Sequence, residues 1–299
     1  MKKAFLFLVI LMSISVSIFS CRMDRERQME YFLQALEKYQ EWDFQAAIDI
    51  LENNIRRIDR GYFFYFYRGF FTQQQNFQMF MPLAMKDYHR AYEFNLDSFF
   101  VNNAIGFGYL VMGDYERAIP FLERAYELFS LESEAPSPYW SLAEAYFRVG
   151  RLEEALRVNA RAIETRGDQW DYFQRGEILS QITGDINDLL EHYNIAREIA
   201  PDDFALQRDF ALRLIRMGYI EKAYELYTEW LVGHEDFFDW CLADMAYIHM
   251  LKGNWDRSIE LLKRAMRINN TQVLTLQYVS FYHFFRGDYN EAFHYEARS

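Results

Sequence analysis

Two ladders of small residues constrain this chain more than any other feature. Ala47, Ala84, Ala118, Ala155, Leu189, Ala223, Ser258 and Ala292 follow one another at steps of 34 to 37 residues. Ala35, Gly69, Gly106, Ala143, Glu177, Ala211, Ala246 and Ser280 climb by steps of the same size, each 12 to 15 residues before its counterpart. A turn stands between the paired rungs, most plainly at Gly113-Asp114. Apolar residues at helical spacing run up to Met112, Gly113 can adopt the left-handed C-cap conformation, Asp114 can cap the next helix, and a second apolar-striped stretch follows. Each period reads as two helices folded back on each other. A small side chain at both rungs lets the paired helices approach, and a larger one pushes them apart. Glu177 and Leu189 break the rule in the same period, and Trp42 stands where other periods place a turn glycine.

From Phe99 to Glu132, the spacing of Gly106, Tyr109, Ala118 and Leu122 resembles the tetratricopeptide (TPR) repeat. The resemblance implies an all-α chain, a right-handed TPR α-solenoid of about eight helix-turn-helix repeats. The repeats fall at about 28–61, 62–98, 99–132, 136–169, 170–203, 204–237, 239–272 and 273–299. The second carries three extra residues around Gln73 to Phe80, with Pro82 near the start of its second helix, where proline is tolerated. Pro120 falls inside a second helix and predicts a kink. Leu131 to Pro138 holds two prolines and two acids and reads as a hinge loop. One continuous array is expected, because each repeat contacts only its neighbours.

Residues 1–20 read as a lipoprotein signal peptide and 21–27 as the lipid-anchored N-terminus that precedes the fold. Lys2 and Lys3 lead an uncharged run from Ala4 to Phe19, closed by Ser20-Cys21, which resembles a bacterial lipobox with acylation of Cys21. The run is short of the roughly 20 residues a spanning helix needs. The resemblance places the chain in the bacterial envelope, facing the periplasm, and Arg22 after the cysteine favours the outer membrane. With Cys21 acylated, Cys241 has no disulfide partner, and its place between Trp240 and Leu242 marks it as a small core residue.

The formal net charge is −12, and it falls further if Lys2 and Lys3 are removed. Such a surface repels phosphate backbones and anionic headgroups, so nucleic acid is not an expected partner and the lipid supplies the membrane contact. No nucleophile, phosphate-loop or metal-ligand spacing occurs, and the six histidines never pair with Cys, Asp or one another. The reading is non-catalytic, with no cofactor or metal. His249 and His283 occupy one slot in adjacent repeats and are read as inter-repeat packing residues.

In TPR arrays the first helix of each repeat lines the concave groove. The family's groove positions fall here on Phe63, Phe66, Phe70, Phe100, Asn103, Phe107, Trp140, Phe147, Trp240 and Tyr247, with Glu144, Arg208, Phe281 and Phe284 also on that face. Aromatic residues make up 19% of the chain. Some ten of them on one face amount to over about 1,000 Å², against roughly 300 to 600 Å² for the largest patch on an ordinary monomer. Either a tight superhelical turn or a homodimer covers them, or they form a groove for a protein or peptide partner, or for a lipid-like small molecule. The Lys and Asn cluster of carboxylate-gripping relatives is absent but for Asn103. The expected function is an adaptor that recruits a partner protein through the groove. The alternative is an accessory subunit of a transport system holding a hydrophobic molecule. The aromatics from Phe281 to Tyr295 also offer the C-terminal repeat as a homo-oligomer contact.

Overall fold

The computed structural model describes residues 22–55, 62–129, 137–231 and 239–299. Cys21, the stretch before it, and most of the expected hinge at 131–138 lie outside the described residues. Among the described residues there are sixteen helices and no strand. In chain order they pair as α1 (Arg22–Gln40) with α2 (Phe44–Ile55), α3 (Tyr62–Gln75) with α4 (Phe77–Phe94), and α5 (Phe99–Val111) with α6 (Tyr115–Leu128). Then come α7 (Tyr139–Arg148) with α8 (Leu152–Thr165), α9 (Gln169–Thr183) with α10 (Ile186–Ile199), and α11 (Phe204–Arg216) with α12 (Ile220–Leu231). The last two pairs are α13 (Asp239–Leu251) with α14 (Trp255–Ile268) and α15 (Val273–Arg286) with α16 (Tyr289–Glu296). No described helix is long and apolar enough to cross a membrane.

Local chemistry sets the ends of these helices. Asn76, Ser98, Asp114, Asp203 and Gln272 each accept a hydrogen bond from the N–H three residues on, satisfying one of the orphan donors of the first turn. Gly113 takes φ +78°, and Asp114 N–H donates to Tyr109 C=O at 2.9 Å, closing the helix end. Trp42 fills the same role at φ +64°, with Asp43 N–H donating to Lys38 C=O at 3.0 Å.

Both ladders are inward-facing. Every rung of the second-helix ladder has 0% exposure except Ala292 at 5%, and every rung of the first is buried. At Gly106 an added Cβ would lie 2.5 Å from Leu122 Cγ, so that helix pair touches nearly backbone to side chain. In the fifth pair the close approach sits one residue earlier than expected. A Cβ on Gly176 would lie 3.1 Å from Leu189 Cα, so Gly176 and not Glu177 admits the bulkier leucine. The three extra residues of the second pair form no loop. Together with a connection cut to Asn76 alone, they lengthen α4 by four, to 18 residues against the usual 14 or fewer, which puts Pro82 inside the helix and not in its first turn. Helix α6 continues through Pro120 to Leu128.

Contacts divide the chain into two compact units, Met1–Ala196 and Arg197–Ser299, the division falling in the last turn of α10. In the first, a core runs from Phe32 and Leu51 through Phe64, Phe71, Met81 and Tyr88 to Ile105, and a second gathers Leu122, Leu142, Tyr146 and Ile178. The second unit buries Phe210, Leu214, Tyr227, Leu242, Ile248, Leu262 and Leu276. Within each unit first helices touch one another, α5 with α7, α7 with α9, and α13 with α15. Each such run of first helices presents one shared face.

Candidate partner-binding face

The ten residues expected on the groove are all buried or half-buried. In the first unit Phe63 meets Phe32 with centroids 4.6 Å apart, Phe66 meets Phe100 at 6.3 Å, and Phe70 meets Tyr39 at 5.8 Å. Phe107 is half-buried against the same core, and Asn103 beside it has a buried Oδ1 without a hydrogen-bond partner. The rings cover one another, so the large exposed area expected of this face is mostly taken up by ring-on-ring packing inside the chain. Farther along, Trp140 is half-buried and Phe147 buried.

Ionic side chains complete the face, Glu144 and Arg208 at positions the repeat pattern had marked, each with a partner it had not. Glu144 is buried, accepts from Arg148 Nε at 2.6 Å, and lies 3.4 Å from Gln174 Nε2, which also donates to Trp140 C=O at 3.1 Å. Asn159 continues this network to Gln174 Oε1 at 3.2 Å. Arg148 lies 5.9 Å from the Phe147 ring.

The second unit repeats this arrangement with greater burial. The Asp244 side chain is 0% exposed, while that of Arg208, which donates to it from Nε at 2.7 Å and Nη2 at 3.3 Å, is 29% exposed. Tyr227 donates to Asp244 at 3.1 Å and Tyr278 at 3.2 Å, so four donors satisfy one carboxylate. Burial, then the Asp244 charge, pushes both tyrosine hydroxyls far above their ordinary range, which keeps them protonated donors. The guanidinium lies 5.6 Å from the Trp240 ring, and Tyr247 stacks on Tyr278 with centroids 5.1 Å apart. Sequence reasoning reached Arg208, Trp240 and Tyr247 but missed Asp244. The available signal was a lone acid in the apolar run Leu242-Ala243-Asp244-Met245-Ala246, where a charge persists only if paired.

Cys241 is buried with its thiol pushed up by burial and then by Asp244, which makes it an inert core residue. His249 meets Tyr224 of the preceding helix pair at 3.4 Å, and burial lowers its pKa. His283 instead faces Asp288 and stacks on Tyr295 within its own pair. Among the described residues no group of three or more His, Cys, Asp or Glu is placed to hold a metal ion.

The tetratricopeptide repeat family pattern matches residues 97–167 and again 242–272. This is a tetratricopeptide repeat protein. A tetratricopeptide repeat protein from Parabacteroides merdae superposes with a TM-score of 0.65 at 13% identity, covering 89% of this chain and 98% of that one. MamA from Desulfovibrio magneticus gives 0.52 at 15% identity over 58% of this chain and 96% of that one. The human IFIT1 dimer with PPP-AAAA gives 0.53 at 15% identity over 86% of this chain and 67% of that one. These likenesses are of fold. No curated protein sequence matches the chain. The TPR fold is in general a non-catalytic scaffold for protein–protein interaction, and protein partners follow from it.

Proposed function

We propose that this TPR protein is a non-catalytic adaptor, anchored by lipid on Cys21 at the periplasmic side of the bacterial outer membrane, which recruits a partner protein on its first-helix faces. The observation that carries the recruiting role is the pairing of partly exposed arginines with buried acids beside aromatic rings: Arg148 with Glu144 near Trp140, and Arg208 with Asp244 near Trp240. Trp, Tyr and Arg dominate binding hot spots, and side chains already held in place lose little freedom on binding. The acidic net charge of −12 favours association with a partner of opposite sign. A hydrophobic small molecule fits less well. The groove rings fill the space between themselves, and a cleft of about 300 Å³ elsewhere in the first unit includes Glu164, Arg175 and His192 in its lining, the wrong chemistry for such a ligand.

The test places a photo-crosslinking residue at Trp140, at Tyr247 and, as a control, at exposed Lys222 in living cells. Adducts of one protein from positions 140 and 247, with none from 222, support the reading. Equal labelling from all three, or none, sinks it. Cys21→Ala tests the anchor separately, since it should release the protein from membranes and abolish fatty-acid labelling.

A further inference from the structure

The α15–α16 pair carries the largest cluster of exposed rings among the described residues. Phe281, Phe284, Phe285, Tyr289 and Phe293 are 50%, 53%, 66%, 57% and 75% exposed. They are contiguous: Phe284 lies 5.6 Å from both Phe285 and Tyr289, Phe281 is one helical turn before Phe284, and Phe293 one turn after Tyr289. Gln277 and Glu296 close the two ends of the cluster, and the turn between Phe285 and Tyr289 carries one charge of each sign, Arg286 and Asp288, the latter 3.6 Å from His283 Nδ1.

The preceding pair shows what such positions are for. One repeat earlier, 34 residues back, they are held by Tyr247, Met250, Leu251, Trp255 and Ile259; all but Leu251, which is 48% exposed, are buried or half-buried, and α15 packs on α13. The face on α15–α16 thus has the make-up of a helix-packing surface and the exposure of a free one.

We propose that this face joins two copies of the chain in an isologous dimer. Area supports that occupant. The five exposures add up to about three whole aromatic side chains, or roughly 600 Å² per copy at about 200 Å² each. Two copies bury roughly 1,200 Å² in total, nearly all of it aromatic, which reaches the lower end of specific interfaces. A two-fold arrangement sets ring against ring. This contact lies on the last helix pair and stands or falls independently of partner recruitment on the first-helix faces.

The test is the mass of the full chain by sedimentation over a dilution series, for the wild type, for Phe284→Glu with Phe293→Glu, and for Phe284→Leu with Phe293→Leu. The wild type should dimerise and dissociate on dilution. The glutamate pair should weaken self-association by at least about 30-fold, the factor for one hot-spot residue, with unchanged helical signal. The leucine pair should still dimerise. If the glutamate pair fails to fold, Phe293→Lys alone gives the same decision, because that ring is the most exposed. A wild type that stays monomeric, because another protein or a further segment covers the face, overturns the proposal. So does a folded glutamate variant that still dimerises.

Discussion

Replacing Asp244 by alanine should destabilise the second unit by about 4 kcal/mol. Removing one partner of a buried ion pair costs about 3 to 5 kcal/mol, and the lower end applies because the Arg208 side chain is 29% exposed and can recover some hydration. The Tyr227 and Tyr278 hydroxyls also lose their acceptor, and Tyr227 is fully buried, which adds about 1 kcal/mol or more. Against a typical stability of about 5 to 15 kcal/mol this is a large share. It corresponds to a fall of roughly 15 °C in the melting of a unit of this size. Trp230 and Trp240 flank the site and report its unfolding by fluorescence in urea. Arg208→Met with Asp244→Leu should cost only about 1 to 2 kcal/mol, since no charge is left stranded and only the two hydroxyls go unpaired. If Asp244→Ala costs under about 1 kcal/mol, or the double variant costs as much as the single, the carboxylate is not the hub described here.

Trp42→Gly should stabilise the chain by about 1 kcal/mol, seen as a higher melting temperature, because the residue is 76% exposed and held at φ +64°, where an L side chain is strained. Gly106→Ala should cost about 1 to 3 kcal/mol by driving a Cβ to 2.5 Å from Leu122, and a second change, Leu122→Ala, should cost less in that background than alone, as a chemical-denaturation cycle would show. Burial, then the neighbouring Asp168, raises the Asp171 carboxyl to about 6. The acid form is therefore favoured in the fold, and the stability this group contributes is complete below its unfolded value near 3.8 and lost as pH rises through about 6. Asp171→Asn should gain up to about 2 kcal/mol over the wild type at pH 7 but not at pH 4, and an equal difference at both pH values would refute the assignment.

The helix pairs were legible because close packing leaves a periodic trace. Ala118 or Ala223 must be small whatever lies around it, so spacing alone finds it. The fifth pair was misread at Glu177 because the freedom to approach had moved to Gly176, and a one-residue shift within a helix does not show in a 34-residue ladder. The groove residues were located by their positions, but their exposure was not. Whether Phe66 faces solvent depends on Phe100 and Tyr88, which come from other helices and reach it only on folding. Asp244 was missed because the ladders register small residues and not acids: Arg208 and Tyr278 lie about one repeat away, 36 and 34 residues, but an acid at that spacing is a signal only once the fold shows it buried between them.

The extra turn in α4 bears on which insertions this architecture tolerates. A helix repeats its facing direction every 3.6 residues, so a segment four residues longer turns only about 40° past a full revolution and returns Ala84 to the inward side. One or two added residues would swing that alanine by about 100° or 200° and put a larger neighbour into the gap. Length changes within these helices should therefore survive in evolution as near-whole turns, and other lengths should be confined to the connecting loops.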